Sequence, residues 1–111
     1  MYTGVSVTSD RIVDIMSDAL ADKSNANSKK FIGFHLGSGV CVLQGMVDAA
    51  ASISGATEGG PLWLGTSGAF SATAPTTATH YSRVVGYYVG SGVGGEEICY
   101  FDPSKDWIQI D

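Results

Sequence analysis

The amino-acid sequence predicts a mainly β protein, a small antiparallel β-barrel or sandwich with one N-terminal α-helix. From Gly60 to Asp111, short runs rich in Val, Tyr and Trp alternate with segments rich in Gly, Thr and Ser. This is the pattern of strands joined by tight turns.

A length of 111 residues suits a single domain. A hydrophobic fraction of 44% with only 15% charged residues indicates a folded core, because disordered chains have the opposite balance. We therefore expect one domain over residues 1–111, with an N-terminal arm, helix and loop in 1–30 and the β domain in 31–111.

Residues 9–22 carry the helical pattern. Apolar side chains recur there at spacings of three and four, at Ile12, Ile15, Met16, Ala19 and Leu20. Thr8 or Ser9 is placed to cap the first turn, and Asp10 puts a negative charge near the positive end of the helix dipole. Residues 22–30 are rich in Ser and Asn, which compete with helix through local hydrogen bonds, so we expect a loop there.

Two hairpins follow in the sequence. The apolar runs FIGFHL and VCVLQGMV flank Gly37-Ser38-Gly39, a spacing that suits a turn with positive φ. Residues 62–65 and 69–72 flank Thr66-Ser67-Gly68, in which the glycine fits a left-handed position. Between the hairpins, residues 48–60 are mostly small, so we expect a loop or irregular edge, although Asp48 to Ile53 has the length of one helical turn.

The C-terminal third contains the strongest strand, Tyr81 to Val89, which we expect at the centre of the sheet. Before it, Pro75 ends strand pairing because proline has no amide donor. After it we expect a loop over 90–95, a strand from Glu97 to Phe101, a turn at Asp102-Pro103 and a last strand from Trp107 to Ile110.

Charge and targeting signals limit the partners. The net charge is −5, and the largest basic cluster is the pair Lys29-Lys30, so phosphate backbones and anionic lipid surfaces are not attracted. We expect no nucleic-acid or membrane partner. The N-terminus lacks the pattern of a secretory signal, which indicates a protein made and left in a cytoplasm. The longest nearly apolar run, 40–47, is too short to span a bilayer.

Two motifs imitate ligand sites. Gly90, Gly92 and Gly95 match G-x-G-x-x-G, but a dinucleotide site needs a helix next, and the following residues have the pattern of a strand. Asp102, Ser104 and Asp106 match the first ligands of an EF-hand, but Trp107 replaces the required glycine and the twelfth-position Glu is missing. We interpret both as turns.

Two histidines and two cysteines are the remaining chemical candidates. His35, next to Phe34 and Leu36, fits the solvated face of its strand, and His80 lies in a Thr-rich loop. Cys41 and Cys99 lie in apolar runs, where a buried free thiol is favoured over one disulfide. Their spacing does not support a Cys/His nucleophile or a zinc site. We expect no enzyme activity, and no catalytic residue, cofactor or metal.

Aromatic residues offer a binding surface, either for a sugar ring or for a protein. The set comprises Trp63, Tyr81, Tyr87, Tyr88, Tyr100 and Trp107. Many of these are expected in the core, since aromatic side chains are favoured in strands. Tyr87 and Tyr88 are adjacent and must point to opposite faces, so one can be buried while the other faces a partner. A protein interface is the commoner use of an exposed aromatic ring.

The order of these segments resembles a small β domain found in structural proteins of tailed bacteriophages. The likeness rests on Gly60 to Leu64, Thr73 to Thr76, Arg83 to Tyr87 and Tyr100 to Ile108. The last two match its "R-V-V-G-Y" and "Y-F-x-P-x-x-x-W-I/V" segments, and the first two are similar to its "G-x-x-L-W/Y" and "T-x-x-A-P-T" segments with fewer intervening residues. Residues 34–47 are similar to the strand that opens the domain, so the resemblance covers about 31–111.

The resemblance implies a virion structural protein, with a capsid decoration or cement protein preferred and a receptor- or carbohydrate-binding tail or fibre component as the alternative. It implies the major capsid protein and copies of the same chain as partners, as a homotrimer, in a virion assembled in the host cytoplasm. Residues 1–7 would then pair edge to edge with a neighbouring copy or with the shell. The interface candidates are Tyr2, Val5, Val7, Trp63, Tyr88 and Trp107.

Overall fold

The computed structural model describes residues 10–14, 21–24, 32–37, 40–50, 52–92 and 94–110. Within these ranges the chain forms ten strands and no helix, and therefore no helix that could cross a membrane. The strands are β1 (Arg11–Asp14), β2 (Ile32–Gly37), β3 (Val40–Val42), β4 (Gly45–Asp48), β5 (Pro61–Leu64), β6 (Phe70–Ser71), β7 (Tyr81–Ser82), β8 (Val84–Ser91), β9 (Glu97–Phe101) and β10 (Ile108–Gln109).

The strands form three open antiparallel sheets. Their orders are β1-β2-β3, β10-β7 and β4-β9-β8-β5-β6. Every strand pair in these sheets is antiparallel, which confirms a mainly β, antiparallel protein. The closed barrel is wrong for the described part of the chain, because the strands that end the two larger sheets do not pair: β1 does not pair with β3, and β4 does not pair with β6.

The five-stranded sheet agrees closely with the sequence pattern. β8 is its central strand, between β9 and β5, as predicted for the segment 81–89, although Tyr81–Ser82 form the separate strand β7 of the two-stranded sheet. The hairpin β5–β6 turns through Ser67 (φ 54°) and Gly68 (φ 79°), which confirms a left-handed glycine there. Gly90 and Ser91 of the predicted 90–95 loop belong to β8; β9 then runs from Glu97 to Phe101 as predicted and ends immediately before the expected Asp102-Pro103 turn.

The three-stranded and five-stranded sheets share one hydrophobic core. Phe34 of β2 packs on Phe70 of β6 and Phe101 of β9, with ring centroids 5.7 and 6.1 Å away. Phe70 and Phe101 meet edge to face at 6.3 Å. The same cluster includes the buried side chains Ile12, Ile32, Val47, Leu62, Leu64, Val85, Tyr88 and Cys99. These contacts hold the two sheets together.

The predicted N-terminal helix is wrong over Arg11–Asp14, which form β1. This strand pairs with β2 in the register Ile12↔Phe34 and Val13↔Gly33. Its outer edge is also hydrogen-bonded, because the Ile12 amide donates to the Gly68 carbonyl at 2.8 Å and the Ile12 carbonyl accepts from the Ala21 amide at 2.9 Å. Residues 9 and 15–20 of the predicted helix lie outside the described residues.

The segment VCVLQGMV is divided between two sheets. β3 pairs with β2, which confirms the first hairpin, although residues 38 and 39 of its turn lie outside the described residues. β4 then pairs with β9 on the edge of the five-stranded sheet. The chain changes sheet at Leu43-Gln44, next to Gly45, whose φ of 143° is a conformation that side-chain-bearing residues rarely adopt. The residues that follow β4, from 49 to 60 apart from residue 51, form the predicted loop.

Candidate functional site

The outer face of the five-stranded sheet carries a row of side chains that crosses four strands. Direct pairing places Met46 opposite Tyr100, Tyr100 opposite Tyr87, and Tyr87 opposite Pro61. Residues that face each other across antiparallel strands project to the same side of the sheet. We call these four residues the outer row. Their neighbours in sequence point to the core, where Val47, Cys99 and Tyr88 are buried in the next row.

The outer row is accessible and partly fixed in place. The exposed fractions of Met46 and Tyr87 are 57% and 45%, large values for apolar side chains. Pro61 is exposed and Tyr100 is half-buried. The Gln44 amide nitrogen donates a hydrogen bond to the Tyr100 hydroxyl at 2.8 Å, which holds the phenol ring between Met46 and Tyr87 in the row. A row of this kind on a paired sheet is a preorganised contact surface.

Charge is nearly absent from this face. Residues 31–47 contain no Asp, Glu, Lys or Arg, and neither do 59–82 or 84–95. Asp48 lies at the end of β4, beyond the outer row, and directly opposite the half-buried Ile98. Depletion of charge with enrichment of aromatic residues is the compositional mark of an interface core. The surface therefore favours contact with a partner over interaction with free ions.

Two carboxylates at the end of this sheet are engaged by the protein itself. Glu97 accepts hydrogen bonds from the Ser91 hydroxyl at 2.7 Å and from the Tyr88 hydroxyl at 3.2 Å. Asp48 accepts from the amides of Glu97 and Ala50 at 3.1 and 2.9 Å. The Ser91 hydrogen bond, opposed by burial and assisted by the Ile53 amide and by Tyr88, lowers the pKa of Glu97. These bonds tie the loop after β4 to the β8–β9 hairpin, which is a structural role.

The structure separates the sequence-predicted interface residues. Tyr2, Val5 and Val7 lie outside the described residues. Trp63, half-buried on β5, alternates with the buried Leu62 and Leu64 and so shares the face of Pro61. Tyr88 is only 8% exposed and points into the core, so it lacks the accessibility of a surface contact.

Trp107 lies on a different part of the molecule from the outer row. Its ring is 40% exposed and meets Tyr81 edge to face at 5.7 Å, beside the two-stranded sheet β10-β7. The adjacent turn is anchored because the Arg83 side chain donates from Nε to the Ser104 carbonyl at 2.8 Å. The Asp106 amide donates to the Ser104 hydroxyl at 3.0 Å, so this hydroxyl serves the turn.

Sequence reasoning missed three members of the site, Met46, Pro61 and Gln44. It named Tyr87 and Tyr100 among the aromatic candidates but chose Tyr88 as the interface residue, and Tyr88 is buried whereas Tyr87 is exposed. The opposite orientation of Tyr87 and Tyr88 was predicted and is confirmed. Period-two alternation shows only that one of them faces outward. The strand register was the missing information, because it is the register that aligns Met46 and Tyr100 with Tyr87.

A cysteine and a histidine do meet across strands. Cys41 of β3 lies directly opposite His35 of β2. Contrary to the expectation of a solvated face, His35 is only 2% exposed, because β2 is the middle strand of its sheet and is covered on both faces. Burial raises the pKa of Cys41 to about 11, whereas a nucleophilic cysteine needs a lowered pKa.

Both cysteines are free thiols, Cys99 buried and Cys41 half-buried. Among the described residues, no three His, Cys, Asp or Glu side chains converge in a group suited to a metal ion.

Comparison of the chain with protein-family models, with curated proteins and with solved structures gives no match.

Proposed function

We propose that this protein is a non-enzymatic structural protein of a tailed-phage virion, a decoration or cement protein that binds the outer surface of the head. One observation carries the proposal, the uncharged and largely exposed outer row on the hydrogen-bonded strands of the five-stranded sheet. Such a surface suits lasting contact with another protein. The partners are then the major capsid protein and further copies of this chain, with no nucleic acid and no membrane.

The segments that resemble the phage domain support this proposal through their positions in the sheet. Gly60 to Leu64 contains β5, Arg83 to Tyr87 opens β8, and Tyr100 to Ile108 runs from β9 to the start of β10. Three of the outer-row residues, Pro61, Tyr87 and Tyr100, therefore lie in or at the boundary of these segments. Three of the four segments that carry the resemblance therefore each contribute one residue to the exposed face.

Binding to heads tests the proposal. Heads from a phage that lacks this protein are mixed with the purified chain and sedimented, and the bound fraction is measured over a range of concentrations. Wild-type protein is expected to bind saturably. Tyr87→Ala removes an exposed ring, so we expect capsid affinity at least ~10-fold weaker, the loss typical of an interface residue worth more than about 1.4 kcal/mol.

The matched control is Ile108→Ala, because Ile108 is the most exposed large apolar side chain described, at 69%, and lies on the two-stranded sheet. Its binding should equal that of wild type. Wild-type protein that does not bind heads, or Tyr87→Ala that binds as well as wild type, would contradict the proposal.

A tail or fibre component that binds a carbohydrate receptor is the second candidate. It is favoured by the pair Tyr87 and Tyr100, whose side chains lie side by side on neighbouring strands with Gln44 fixed beside them. Aromatic faces with a few placed polar groups can hold an apolar sugar face and orient its hydroxyls. A glycan array separates the two functions: a decoration protein binds heads and no glycan, whereas a receptor-binding module binds a glycan and loses it in Tyr87→Ala.

A further inference from the structure

We propose that two copies of this protein associate through β4, pairing antiparallel about a two-fold axis so that their five-stranded sheets become one continuous sheet. The inference rests on the proposed multi-copy function, since it names the partner as a second copy. It is tested with purified protein and no capsid, so its failure can be told apart from failure of head binding.

β4 is an edge strand with apolar surroundings. It ends the order β4-β9-β8-β5-β6, so in the described part of the chain no strand pairs with its second side. Met46 on β4 is 57% exposed, and the preceding Leu43 and Val40 are 48% and 45% exposed. Proteins usually protect such an edge with charge, proline or a covering element. The edge of β1, by contrast, is hydrogen-bonded to Gly68 and Ala21.

The backbone of β4 is oriented for this pairing. The Ala49 amide donates to the Glu97 carbonyl at 2.8 Å, so Ala49 directs its hydrogen-bonding groups toward β9. Antiparallel pairs alternate between residues that exchange hydrogen bonds with their partner and residues that do not. Val47 and Gly45 therefore also bond to β9, and the amides and carbonyls of Met46 and Asp48 point to the open side.

Charge favours a second copy as the occupant. The chain has a net charge of −5, so two copies repel each other over most of their surface. Residues 31–47 carry no charge, so this segment offers nothing to a partner that is recognised by its charge. This uncharged edge is where two acidic molecules can approach closely. A symmetric contact also needs only one self-complementary strand, as in the two-fold interfaces of most homodimers.

Charge also selects the register. With Met46 opposite Met46 of the second copy, Asp48 lies opposite Gln44, and the two Asp48 carboxylates are offset by four residues, roughly 14 Å along the strands. That separation exceeds the Debye length of about 8 to 10 Å in ordinary buffers. A shift of two residues that brings the Asp48 side chains closer places each Asp48 opposite Met46 of the other copy. A shift of four residues places the two Asp48 carboxylates directly opposite each other, which is destabilising. In the favoured register the two outer rows join end to end.

The association is measured by light scattering or sedimentation over a wide concentration range, since a contact between two four-residue edge strands is small. Wild type should approach twice the 11.5 kDa of one chain. Met46→Lys and Met46→Glu should each weaken association at least ~10-fold, because like charges then meet at the axis. An equimolar mixture of the two variants should recover the dimer. Val89→Lys, a matched change at a 45% exposed residue of the interior strand β8, should dimerise like wild type.

The register has its own test. Residues in a hydrogen-bonded antiparallel pair have Cα atoms about 5.5 Å apart, within the range that a disulfide bridges. In a Cys41→Ser background, Met46→Cys should form a disulfide-linked dimer under mild oxidation and Val89→Cys should not. A wild-type mass of one chain at all concentrations, Met46→Lys that still dimerises, or a mass of three copies would overturn the two-fold pairing. The last result would support the homotrimer instead.

Discussion

Removing the Phe34 ring should release the three-stranded sheet from the five-stranded sheet. Phe34 is 0% exposed and contacts Phe70 and Phe101 from the opposite sheet. Phe→Ala substitutions at such sites typically cost about 3 to 5 kcal/mol, from lost burial and from the cavity left behind. Two lost ring contacts, each worth about 0.5 to 1.5 kcal/mol, keep Phe34→Ala away from the lower end of that range, so a cost near 4 kcal/mol is expected.

A loss of this size is a large share of the stability of a small domain, about 5 to 15 kcal/mol. With a urea m-value of about 2 kcal/mol/M, the unfolding midpoint should fall by about 2 M. The measurement is equilibrium urea unfolding followed by circular dichroism and Trp fluorescence. Tyr87→Ala, which removes an exposed ring from the outer face, is the control and should cost under about 1 kcal/mol. A Phe34→Ala cost as small as that of the control would refute a core shared by the two sheets.

Three further predictions concern single groups. Gly86→Ala should destabilise by about 1 to 3 kcal/mol in urea unfolding, because its methyl group would collide with the Tyr100 carbonyl of the paired strand, and an unchanged midpoint would contradict that close approach. A hydrogen bond from the Ser91 hydroxyl keeps the pKa of Glu97 below its ordinary 4.5. The ionised Glu97 carboxylate therefore stabilises the folded state above pH 4.5, and this stabilisation is lost as pH falls through the folded pKa. Glu97→Gln should flatten the acid side of a stability profile measured from about pH 3 to 6. Burial raises the pKa values of Cys41 and Cys99 to about 11. Their alkylation at pH 8, followed by mass spectrometry, should therefore be roughly 100-fold slower than that of a free cysteine, because the thiolate is the reactive form. The rate should be slowest at the buried Cys99, and both thiols should react fast after unfolding.

The C-terminal half of the fold was predictable because its signals are local. Gly68 at the third position of a three-residue loop specifies a left-handed turn whatever lies around it, and the structure has φ 79° there. The run 84–89 has the β-branched and aromatic composition of an interior strand, and it forms the centre of the largest sheet. Such features depend on neighbours in sequence, so one sequence is enough to read them.

The N-terminal misprediction has a tertiary cause. Ile12 fits the predicted helical face by spacing, but Ile12 and its neighbour Val13 are both 0% exposed, on opposite faces of a strand. An amphipathic helix would bury one of these neighbours and expose the other. β1 is instead held on one edge by β2 and on the other by Gly68, a residue more than fifty positions away. These long-range hydrogen bonds outweigh a weak local periodicity.

Register decided what could be predicted of the candidate site. From sequence, Tyr87 and Tyr100 are separate aromatic residues in separate strands, and nothing local aligns them with Met46. The bulge between Tyr88 and Gly90 changes the pairing offset between β8 and β9, so the register cannot be counted outward from the hairpin turn alone. The aromatic candidates could be listed from the sequence, but the face they form could not.

The outer row and the β4 edge together explain how a short surface could bind strongly. One outer row spans four residues, which is small for a stable interface. Two copies joined at Met46 would double the row without adding a new contact type, and linked contacts can raise overall affinity by about 10² to 10⁴. Met46→Lys changes both the paired edge and one member of the outer row, so it should reduce head binding to the single-copy affinity or below it, whereas Tyr87→Ala weakens each contact and leaves the dimer intact. An equimolar mixture of Met46→Lys and Met46→Glu restores pairing without restoring the Met46 side chain, so titrating heads with this mixture beside the single variants separates the two effects. Met46→Lys that binds heads as tightly as wild type, while being monomeric in solution, would show that pairing of copies contributes nothing to binding.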